Sequence, residues 1–64
     1  MKVTIKELKA LAKRAGVEYH KVMRGYDFEI PGWGTWFMES DYLGDRRFMY
    51  YTLLGIIAEK EGLL

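Results

Sequence analysis

His20, Lys21 and Arg24 fall within five consecutive residues, after a glycine at position 16 and directly before another at 25. The chemistry open to such a set is anion recognition. Ammonium and guanidinium groups donate to phosphate oxygens, and both also donate to O6 and N7 of guanine, the commonest base-specific contact. Proton transfer and metal binding fit less well. His20 is the only histidine and there is no cysteine, so no zinc set can be assembled and no metal or cofactor is expected. The carboxylates Asp27, Glu29, Asp41 and Asp45 have the spacing of ordinary surface charge, and no nucleophile with a matching base is visible, so an enzyme is not expected. Trp33 and Trp36 offer either an aromatic platform for a single strand or a peptide, or core packing, which suits Trp36 better. The Gly-Trp-Gly around Trp33 lacks the lysine and the strand-to-helix setting of a phosphate loop.

Charge distribution supports the anion reading. The 64 residues carry 10 cations and 9 acids. Residues 1–25 hold seven cations against two acids, a net +5, and residues 26–64 hold three against seven, a net −4. A near-neutral total therefore hides a basic half, the electrostatic footprint of a polyanion partner. A chain of 7.5 kDa makes one domain, residues 1–64, and buries only about 60 % of the surface exposed on unfolding. Half its residues are hydrophobic and 16 % aromatic, enough to favour a folded globule over disorder. The longest apolar run, 48–58, falls short of the ~20 residues that span a bilayer, and no secretory signal is apparent. A cytoplasmic protein without membrane attachment is expected. Asn and Gln are both absent, a tendency shared by heat-adapted and idealised sequences.

The elements that must position these groups are signposted locally. Thr4 and Glu7 form a capping box with Val3 and Leu8 as staple, and Ile5, Leu8, Leu11, Ala12 and Ala15 follow a helical period up to Gly16. A short second helix over 18–24 would gather Tyr19, Val22 and Met23 on one side and present His20, Lys21 and Arg24 on the other. From residue 26 the period becomes two. YDFEI (26–30) and TWFME (35–39) around PGWG predict a hairpin over 26–39, with Ile30 paired to Thr35, Phe28 beside Phe37, and Trp33 at the tip. A final helix over 41–62, capped by Ser40 or Asp45, is apolar nearly all round from Phe48 to Ala58, a pattern of deep burial or of self-association. Its MYYTLLGII segment also suits a strand.

The segment LKALAKRAGVEYHKVMRG, residues 8–25, resembles the helix-turn-helix of bacterial repressors of the lactose-repressor and Cro/cI types. Ala12 matches the small residue of the first helix, Gly16 the turn, and Val17 and Val22 the apolar residues that pin the second helix to the first. The resemblance implies an α+β, mostly α fold: a helix-turn-helix (1–25), a hairpin in the place of a wing (26–39) and a C-terminal helix (41–62). It further implies sequence-specific binding of double-stranded DNA, as a small transcriptional regulator or a designed DNA binder, with the helix at 18–24 in the major groove. Tyr19, His20, Lys21 and Arg24 would then contact bases. Lys6, Lys9, Lys13 and Arg14 would meet phosphates, as would Arg46 and Arg47 unless Asp41 and Asp45 compensate them. A homodimer through the C-terminal helix would suit a palindromic site. The competing reading is a protein-interaction module built on the Trp-rich hairpin and the apolar C-terminal helix.

Overall fold

Local hydrogen bonds start the chain as its sequence predicts. In the computed structural model, which describes residues 2–63, helix α1 spans Ile5–Ala15. The Glu7 amide donates to Thr4 Oγ1 at 3.1 Å and the Thr4 amide donates to Glu7 Oε1 at 3.1 Å, completing the capping box. Gly16 closes the helix at φ 74°, its amide reaching the carbonyls of Ala12 and Lys13. A left-handed residue at this place suits glycine, which has no Cβ to clash.

Beyond Gly16 the expected second helix does not form. Residues 18–24 supply instead strand β1 (Tyr19–Val22) and a tight turn at Met23 and Arg24 into strand β2 (Gly25–Ile30). Met23, expected on the side away from His20, Lys21 and Arg24, lies in this turn and is 86 % exposed. A helix of one or two turns gains too few hydrogen bonds to offset its nucleation, whereas Tyr19 and Val22 suit a pleated surface, and pairing with β2 satisfies their backbone at once. Val17 is buried and the Glu29 amide donates to the Glu18 carbonyl at 2.9 Å, so the ladder starts just before β1. Gly25 therefore begins a strand and ends no helix.

Strand β3 (Gly34–Glu39) completes an antiparallel sheet in the order β1, β2, β3. Its register differs by one residue from the expected pairing: Ile30 faces Gly34, Glu29 faces Thr35 and Phe28 faces Trp36. The connection is the three-residue Pro31-Gly32-Trp33, with Gly32 at φ 81° and Gly34 at φ 96°, the left-handed positions a short hairpin loop requires. A slip of one residue exchanges faces. Trp36 and Met38 therefore join Phe28 and Ile30 toward the core, and Phe37, expected beside Phe28, lies on the opposite face.

Helix α2 covers Leu43–Lys60, shorter at both ends than the expected 41–62. Met49, Leu53 and Ile57 are buried at intervals of four and join Leu8, Ala12 and Ala15 of α1 in one core with Val3, Val17 and the inward residues of β2 and β3. Both helices thus cover one face of the sheet. The α+β class and the order of helix, hairpin and helix hold, while the helix-turn-helix half is replaced by a strand and the hairpin belongs to a three-stranded sheet. Among the described residues no helix is long and apolar enough to cross a membrane.

Candidate functional site

The capped helix α1 positions the first candidate surface. Lys6, Lys9 and Lys13, at spacings of three and four, form one stripe on its outer side, with Lys6 and Lys13 exposed and Lys9 half-buried. Lys21 joins them from β1. Its register partner is Tyr26, so it projects on the helix-bearing side of the sheet, and its ammonium lies 5.4 Å from the Tyr26 ring centroid. Lys9 Nζ lies 5.0 Å from the same centroid. Two cations from two elements thus share one aromatic ring, an arrangement in which each gains from the negative π face. A hydrogen bond to Tyr26, with the charge of that residue and of Tyr19 adding to it against a smaller desolvation effect, raises the Lys9 ammonium above its ordinary 10.5. Lys9 at the centre of the patch is thereby held in its charged form.

The four residues expected to read bases are not brought together. Tyr19 turns toward the core side, its ring 6.1 Å from Tyr26 and 5.9 Å from Phe28. His20 is exposed on the opposite face, across from Asp27. Arg24 sits in the turn at φ 70°, with Nη2 3.5 Å from Glu39 Oε1. Only Lys21 shares a surface with the α1 lysines. The cause is the strand itself, because successive side chains alternate faces where a helix would have gathered them.

Other expected phosphate ligands also have different settings. Arg14 donates from Nε and Nη2 to both Glu61 oxygens at 2.9 and 2.7 Å, and the Lys60 ammonium donates to the Arg14 carbonyl at 3.3 Å, so the C-terminal ends of α1 and α2 are clasped. The Glu61 partner lifts the Arg14 guanidinium further, and Arg14 draws the Glu61 carboxyl below its ordinary 4.5. Arg46 is half-buried in the first turn of α2, its Nε buried without a hydrogen-bond partner among the described residues, and Arg47 beside it is exposed. Asp45, expected as a helix cap, accepts instead from the Glu39 amide at 3.1 Å and so blunts the end of β3. On the open face of the sheet Asp27, Glu29 and Glu39 make an acidic field, with the Thr35 hydroxyl donating to Glu29. The α1 lysine stripe and this acidic field lie on opposite sides of the sheet, while Arg24 and Arg14 pair with Glu39 and Glu61.

A second surface lies beside β3, between the Trp-rich hairpin and the C-terminal helix that the competing reading joins, though the contacts that shape it are not evident from sequence. Trp36, expected in the core, is half-buried at its edge and stacks on Phe48 of α2, with centroids 4.8 Å apart and planes within 8°. Trp33, 69 % exposed, tilts against Trp36 at 5.2 Å. Together with Pro31 and the outer side of α2 these rings border an open groove of about 360 Å³. Its α2 wall, Phe48, Thr52, Gly55 and Glu59, follows spacings of four and three that were already present in the sequence. The missing signal was the β2–β3 register, which decides where Trp36 points. Among the described residues no group of three His, Asp or Glu side chains is close enough to hold a metal ion. No family model, curated protein or solved structure matches the chain.

Proposed function

We propose that the chain is a small nucleic-acid-binding domain that holds double-stranded DNA by its phosphates along the α1–β1 flank. The observation that carries this reading is the convergence of Lys9 and Lys21 on Tyr26, continued along α1 by Lys6 and Lys13. At ~1.5 Å per residue the stripe from Lys6 to Lys13 is about 10 Å long, comparable to three base steps of ~3.4 Å along one strand. Ammonium groups act there as fixed positive charges that displace condensed counterions, a contribution that positions a duplex without reading its bases. Base reading from a helix at 18–24 has no element to perform it, and His20 and Arg24 lie off this flank beside carboxylates. Binding is therefore tolerant of sequence.

Fluorescence anisotropy with a labelled duplex tests the proposal. Four phosphate contacts correspond to a slope of about −3.6 in log affinity against log salt. Replacing Lys9 and Lys21 together by alanine should cut that slope by about two and weaken all duplexes alike. A salt-independent affinity, or full binding by the double variant, would overturn the reading.

A further inference from the structure

We propose that the groove between the hairpin tip and α2 is a docking site for a proline-rich peptide segment that carries a basic residue. The groove is bordered by tryptophans of the hairpin on one side and by α2, open at Gly55, on the other. Trp33, Trp36 and Phe48 stand about one ring apart in succession, and on α2 the space above Gly55 is empty, with nothing within 4 Å of where a Cβ would lie. From Phe48 to Glu59 the helix rises about 16 Å, the length of roughly five residues of polyproline II at ~3.1 Å each. Such a segment is already extended, so it loses little conformational freedom on docking against rings.

Charge selects the occupant further. Glu59 is the one charged side chain on the 360 Å³ groove, and its carboxylate makes no hydrogen bond or ion pair among the described residues. Lys60, which borders the continuation of the groove past Pro31 and Ile56, is turned to the Arg14 carbonyl. A cationic side chain at the end of the segment therefore meets an uncompensated acid, and a nucleic acid strand would meet repulsion. An added β-strand is disfavoured as well. The Glu39 amide is already taken by Asp45 and the Glu39 carbonyl by the Tyr42 amide, so the end of the β3 edge is occupied. Trp36 Nε1, buried with no acceptor among the described residues, gives the site a spectroscopic reporter.

The test is a titration of the ¹⁵N-labelled protein with the synthetic peptide acetyl-PPLPPR-amide, followed at the two indole N–H resonances. Saturable shifts of both indoles are expected, fitting a one-to-one dissociation constant that does not change with protein concentration. Trp33→Ala should weaken binding about thirtyfold if the exposed ring is a hot spot. Gly55→Leu, which enters empty space on the helix and leaves the core untouched, should abolish it. Glu59→Lys should weaken it about two- to fivefold, the range of an exposed ion pair. The proposal is overturned if the indoles do not move, if Gly55→Leu binds as the parent does, or if the resonances shift with protein concentration alone, which would make a second copy of the chain the occupant. Duplex affinity of Gly55→Leu separates this outcome from any failure at the lysine flank.

Discussion

Two glycines show how differently one residue type is used here. At Gly25 a Cβ would lie 2.0 Å from the Met38 carbonyl oxygen, so β2 and β3 approach closely only because that atom is missing. Backbone cannot yield as a flexible side chain does. Gly25→Ala should therefore cost about 3 kcal/mol, the upper range of overpacking, read as a lowered midpoint in urea unfolding. Gly55 is the opposite case, a mid-helix glycine facing open space. Gly55→Ala should raise stability by about 0.8–1 kcal/mol through helix propensity alone, with no change in the core. Equal effects at the two positions would contradict the register of the sheet. Arg14 and Glu61 add a pH-dependent contact at this scale. Because Glu61 titrates below its ordinary 4.5 in the folded state, the clasp contributes fully above that value and is lost as pH falls through the lowered one. The melting temperatures of the parent and of Glu61→Gln should thus differ at pH 7 and draw together as pH falls below the ordinary carboxylate value.

At the scale of elements, Asp45 joins a helix to a sheet edge. An edge strand displays unpaired amides that invite other chains, and here the last outward amide of β3 is consumed by a side chain from the first turn of α2. Asp45→Ala should cost about 1–2 kcal/mol for the lost charge-assisted bond, while Asp45→Asn, which keeps an acceptor, should cost less; thermal unfolding of both variants decides it. The legibility of each element follows the range of the interaction that builds it. The capping box, Gly16 and the loop glycines act within a few residues, and all are evident from sequence. β1 was not, because Tyr19, Val22 and Met23 satisfy a helical spacing as well as strand propensities, and only the partner strand decides between them. The Trp36–Phe48 contact that shapes the groove between hairpin and C-terminal helix was hidden for the same reason. Trp36 meets Phe48 only in the register that pairs Ile30 with Gly34, a choice made by the left-handed glycines of the loop. Lys21 is exposed, as expected, but the neighbours chosen for it, His20 and Arg24, lie on other surfaces.

On the scale of the molecule, the sheet order sets the two candidate surfaces apart. Lys21 lies on β1 at one edge and the aromatic groove lies beside β3 at the other, with the helix layer running between them. A domain this small cannot bury more than one core, and its charges divide accordingly: lysines along α1, carboxylates over the open sheet face and at Glu59. Neither ligand class would be drawn to the other's surface, since the flank repels a basic peptide and the groove repels a phosphate backbone. Sites without shared partners couple weakly, typically within about 0.5 kcal/mol. Duplex affinity measured in saturating acetyl-PPLPPR-amide should therefore stay within about twofold of its value without peptide. Competition would place both ligands on one surface and defeat the assignment of two, whereas strong mutual enhancement would require α2 or the sheet to shift between two arrangements, for which a core anchored by Leu8, Met49 and Leu53 at 0 % exposure leaves little room.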